Sequence, residues 1–118
     1  MRGAIMPIQK DLSKAQRRRL RELGAIVYER ELSAELAKLE AEFRRWRVAE
    51  INAFELSDAV HRFHQGPSRA LFSKHDQANA EFTVAHAIHC GVLSKEEAGA
   101  DILEAVGRHL AFLQQHDE

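Results

Sequence analysis

Residues 13–47 read SKAQRRRLRELGAIVYERELSAELAKLEAEFRRWR, and this stretch decides the fold. Leu20, Leu23 and Val27 mark one apolar stripe at helical spacing. Leu32, Leu36, Leu39, Phe43 and Trp46 continue it in steps of 4, 3, 4 and 3, which is the period of an α-helix with one face against a partner. Over roughly two heptads this is the pattern of a coiled coil or a long antiparallel hairpin. Glu40 and Arg44 add an i, i+4 pair of favourable order on the exposed side. Gly24 is the weak point, where a break is conceivable because glycine costs about 1 kcal/mol in a helix interior.

An unbroken helix of this length is roughly 50 Å long at 1.5 Å per residue. A compact domain of this size has a radius of gyration of only about 13–14 Å. The helix therefore overhangs its own domain and leaves leucine and aromatic side chains uncovered. Pairing with a second copy removes that exposure, so a homodimer is expected, with Leu32, Leu36, Leu39, Phe43 and Trp46 as the interface.

Working outward, residues 1–11 read as a loose tail and 12–118 as a single helical domain. Strand signals are missing: there are two prolines, Pro7 and Pro67, and no alternating β-branched run bounded by turns. Asn52-Ala-Phe-Glu55 is an N-terminal capping pattern that opens a second helix carrying Leu56, Val60 and Phe63. That helix is expected to end at Gly66-Pro67, with Pro67 opening the next, since proline suits a first helical position. The third helix runs through Leu71, Phe72, Phe82, Ala85 and Ile88, with a bend near His75–Asp76, and stops at Gly91. Ser94-Lys-Glu-Glu97 is a capping box for a last helix using Ile102, Leu103, Val106, Leu110 and Leu113. The fold class is all-α, with four to five helices and one much longer than the rest.

Charge is unevenly distributed. Residues 1–47 hold twelve Lys/Arg against seven Asp/Glu, a balance of +5, and residues 48–118 hold five against eleven, a balance of −6. Such asymmetry favours docking of one half against the other, within a chain or between chains. The single cysteine, Cys90, excludes an intrachain disulfide and a thiolate zinc cage, and it fits a reducing compartment. MRGAIMPIQK has no apolar core of secretory-signal length, and Phe82–Leu93 is too short to span a bilayer. A cytoplasmic protein is the expectation.

Two His-x-x-His pairs, His61 with His64 and His86 with His89, are the strongest candidates for chemistry. Residues three apart on a helix lie on neighbouring faces, so imidazoles from two helices have the composition of a divalent-metal site. By helical position, His64 and His89 are expected towards the core and His61 and His86 at its border. The pattern lacks the Glu of a metalloprotease helix and the Glu-x-x-His repeats of a di-iron bundle, and ordinary half-buried histidines fit equally. No cofactor is expected. Lys14, Arg17, Arg18 and Arg21 lie in a dense basic segment able to neutralise phosphates, so nucleic-acid binding is the other alternative, without interleaved aromatics to support it. No strand-to-helix elbow presents Ser57 or Ser68 to a histidine, and there is no glycine-rich phosphate loop, so enzyme activity is not expected.

Residues 54–72, FELSDAVHRFHQGPSRALF, loosely resemble short all-helical bacterial proteins of unassigned function. The resemblance implies a helix, a glycine-terminated turn and a second helix, and no more. The function expected from the whole chain is that of a small helical interaction or regulatory protein that self-associates through its long amphipathic helix.

Overall fold

The computed structural model describes residues 12–116, which are all-α; the expected tail 1–11 lies outside the described residues. Helix α1 spans Lys14–Arg47 without interruption. Ser13 caps it: its hydroxyl accepts from the Gln16 amide N–H while the Gln16 side chain accepts from the Ser13 N–H. Gly24 does not break it, and a Cβ built at Gly24 meets nothing within 4 Å. The helix ends in a Schellman motif, with Ala49 N–H on the Trp46 carbonyl and Glu50 N–H on the Arg45 carbonyl. Ala49, rather than the usual glycine, occupies the left-handed position at φ 65°.

Helix α2 (Ala53–Phe63) opens with the expected capping box, in which Asn52 and Glu55 exchange hydrogen bonds of 2.8 and 2.9 Å. It does not end at Gly66-Pro67. A π-helical turn, His64–Ser68, carries the chain into α3 (Arg69–Gln77). Widening the turn accommodates Pro67, which offers no N–H and crowds the preceding turn of a regular α-helix. Gly66 is not among the left-handed glycines, so it cannot act as a terminator. The real break comes at Ala78–Asn79. The Asn79 side chain accepts from the Phe82 N–H and starts α4 (Ala80–Cys90), which stops at left-handed Gly91.

The expected last helix is divided into α5 (Lys95–Ala98), α6 (Ala100–Ala105) and α7 (Gly107–Gln115). Gly99, at φ 87° and ψ 158°, interrupts the first junction, and Val106, at φ −104° and ψ 12°, the second. Each turn lets α6 and α7 fold back over α1 and α4. There Val84, Ala85, Ala87 and Ile88 meet Leu93, Ile102, Val106 and Leu110 around Leu20, Leu23 and Val27. This is the main core, and it lies on the N-terminal half of α1. The α2–α3 rod runs antiparallel along the C-terminal half of α1, where it buries Leu56 and Ala59. The radius of gyration is 18.9 Å and the extents are 67 × 32 × 27 Å, well beyond the roughly 13–14 Å of a compact domain of this length. The overhang expected from the sequence is present.

Two backbone positions give opposite tests. Ala49→Gly relieves a left-handed alanine that costs about 1 kcal/mol, and Gly24→Ala gains a similar helix propensity with no clash. Both variants are expected to raise the midpoint of chemical denaturation. Leu23→Ala, in the core, is expected to lower stability by about 2–5 kcal/mol in the same measurement.

Candidate interaction surface

Helical position separates the apolar residues of α1 into two faces, not one continuous stripe. At about 100° per residue, Leu20, Leu23 and Val27 fall within about 60° of one another, whereas Leu32, Leu36 and Phe43 lie about 150–190° away from their centre. The first face is buried under α4–α7. The second begins where the first ends and looks the other way. Leu36 is 44% exposed, Phe43 39% and Trp46 39%; Leu32 and Leu39 are half-buried.

The α2–α3 rod covers only one flank of this second face. Residues that follow the contact line in the same rotational sense on two antiparallel helices emerge on the same side of the pair. Val60 follows Ala59, and Phe72 follows Leu71, in that sense, so both join Leu36 and Phe43. Val60 is 39% exposed and Phe72 59%. A depression of about 470 Å³ continues this side between Tyr28, His64, Arg69 and Phe72. Along the opposite flank of the pair, Glu35, Lys38, Glu42, Arg45 and Arg62 alternate with Leu39, Ala59, Phe63 and Pro67 around a hollow of about 410 Å³.

The rod is tied to α1 by a cluster that sequence reasoning did not find. The Glu31 carboxylate receives Lys74 Nζ at 3.1 Å and lies 2.7 Å from His75 Nε2. The His75 ring stacks on Tyr28 with centroids 4.5 Å apart, and its side chain is 7% exposed. Burial alone raises the Glu31 pKa, but the hydrogen bonds from His75 and Lys74 outweigh it and leave the carboxyl below its ordinary value. Tyr28-x-x-Glu31 is one turn of α1, yet its partners lie more than forty residues away. No local pattern signals them. On the globular side, Arg30 holds Glu97 through two hydrogen bonds of 3.0 and 2.5 Å and donates to the Val92 carbonyl at 2.8 Å. The Arg30 guanidinium and the Ser94 N–H hold the Glu97 carboxyl down to about 2.

Of the four paired histidines, His64 departs from its expected place. His61 and His64 are both exposed, so His64 does not point into the core. It lies on the π turn, outside the regular helical register used to place it. His86 and His89 are half-buried on α4; His86 stacks on Phe82 and lies 3.6 Å from the Cys90 sulfur. Among the described residues, no three His, Cys, Asp or Glu side chains form a group able to hold a metal ion.

The cations of the basic segment, Lys14, Arg17, Arg18, Arg19 and Arg21, are all exposed. Arg17 spends its guanidinium on the Leu12 carbonyl at 2.7 Å, and the neighbouring Arg19 reaches the Glu97 carbonyl at 3.1 Å. Lys14, Arg18 and Arg21 have no ion pair among the described residues. They share one face of α1, within about 60°.

Among the described residues, no helix is long and apolar enough to cross a membrane. Comparison with protein-family models, curated proteins and solved structures gives no match in any of the three.

The Glu31 cluster makes acid stability a test of how the rod is held. A carboxyl whose folded pKa lies below its unfolded one contributes stability that is fully present above the unfolded value and lost as pH falls through the folded one. Glu31→Gln is therefore expected to lower stability by about 1–2 kcal/mol at neutral pH. It is also expected to flatten the decline on acidification below the ordinary carboxylate range, read by denaturant melts across pH.

Proposed function

We propose that this chain is a helical protein-interaction module that self-associates through the half-covered side of α1 and its α2–α3 rod. One observation carries the reading: Leu36, Phe43, Val60 and Phe72 stay partly exposed on a single side. Large contiguous apolar patches on a folded protein mark contact surfaces, and aromatic anchors dominate the energetics of such contacts. The elongated shape supports the same reading, because the chain leaves apolar residues of its long helix partly uncovered. A homodimer in the reducing cytoplasm of a bacterium is the setting proposed, consistent with the single exposed Cys90.

A second reading has its own observation. Lys14, Arg18 and Arg21, uncommitted and on one face, present three cations at helical spacing to a phosphate backbone. A Lys14→Ala/Arg18→Ala/Arg21→Ala variant that lost salt-dependent DNA or RNA affinity would favour that reading. No binding by the unaltered protein at low salt would remove it.

Leu36→Glu/Phe43→Glu places charge on the proposed contact without touching the main core. Sedimentation equilibrium is expected to show at least a tenfold weaker dimer, with the helical circular dichroism signal retained. An unaltered protein that remains monomeric at hundreds of micromolar would end the self-association reading.

A further inference from the structure

We propose that the basic strip of α1 binds a single-stranded nucleic acid, with phosphates on Lys14, Arg18, Arg21 and Arg69 and bases beside Tyr28 and Phe72. The proposal rests on the nucleic-acid reading above and states the form of the ligand. Cations alone do not tell one strand from two. An aromatic surface beside them does, because base faces are free in a single strand and stacked on one another in a duplex. The basic segment holds no aromatic residue itself, but the fold brings two to its end.

Tyr28 lies on the same side of α1 as these cations, two turns beyond Arg21 and only about 20° from it around the helix. It forms the wall between two hollows. One, of about 260 Å³, takes in Arg21, Gly24, Ala25 and His75. The other, of about 470 Å³, is lined by His64, Gln65, Ser68, Arg69 and Phe72 from the rod. The partial cover of α1 by α3 therefore builds the site, since a bare helix face offers no recess for a base. From Lys14 to Tyr28 the strip is about 21 Å long, and Arg69 and Phe72 stand beside its far end.

Both hollows carry an arginine and no carboxylate. By contrast, Glu35 and Glu42 line the hollow on the opposite flank, and Glu31 lines one of about 270 Å³ beside Phe82 and His86. The side chains of Lys14, Arg18, Arg21 and Arg69 make no hydrogen bond or ion pair among the described residues, so all four are available to phosphates. Tyr28 stacks on His75, and its hydroxyl likewise has no partner among the described residues. Phe72, 59% exposed, offers a ring for a base to stack on. Gln65 and Ser68 beside it supply donors and acceptors suited to base edges. An acidic peptide satisfies the cations but leaves the rings unused.

Fluorescence anisotropy across salt concentrations tests the proposal. The unaltered protein is expected to bind a labelled oligo-dT or oligo-U of about 12 nucleotides at least tenfold more tightly than a duplex of equal length. With four phosphates neutralised, log affinity is expected to fall against log salt concentration with a slope of about −3, and Arg69→Ala to make that slope shallower by about 0.7. Phe72→Leu keeps an apolar side chain for the proposed dimer contact and removes only the ring. It is expected to weaken the single strand about fivefold or more with the slope unchanged. A duplex bound as tightly as the single strand, or full affinity in Phe72→Leu, means that phosphates alone are read; this overturns the inference and leaves the cation strip intact. Equal binding of a poly-glutamate peptide of the same charge overturns it as well. No binding of any probe at low salt overturns the inference and the nucleic-acid reading together.

Discussion

Every other element of this protein depends on one rigid helix that is longer than the domain it belongs to. Thirty-four residues from Lys14 to Arg47 form a rod of about 50 Å, and the rest of the chain leaves part of it uncovered at Leu36, Phe43 and Trp46. The chain divides its remaining residues into two bodies, each attached to one half of α1. The globule of α4–α7 buries Leu20, Leu23 and Val27 on the N-terminal half. The α2–α3 rod lies along the C-terminal half and, lacking a second layer, buries little beyond Leu56 and Ala59.

Two adjacent residues near the middle of α1 fasten these bodies. Arg30 grips Glu97 and the Val92 carbonyl, holding the globule. Glu31 grips Lys74 and His75, holding the rod. One residue apart on a helix means about 100° of rotation, so the two clamps naturally serve two different sides. Apolar burial supplies most of the attraction in each body, but it is non-directional. Directional, charge-assisted hydrogen bonds help set where along α1 each body sits.

The same division explains why the apolar residues of α1 change face at its middle. The first stripe meets the globule inside the chain. The second is flanked on one side by the rod and open on the other, and this open side carries the proposal of self-association.

The long helix and its start near Ser13, the capping boxes at Asn52 and Ser94 and the stop at Gly91 were all legible in the sequence, because each depends on residues within one turn of one another. The basic segment and the overhang followed as readily from composition and length. Other features were decided only by tertiary contact. Pro67 ends no helix because the rod stays continuous along α1 through a π turn. Gly99 and Val106 break the last helix so that α6 and α7 can close over the core. His64 is exposed, against its expected place towards the core, and the His75 side chain is buried because its partner lies forty-four residues away on α1. Periodicity fixes which side chains share a face of a helix. Which face is covered, and by what, depends on where distant segments land, and that information resides only in the folded chain.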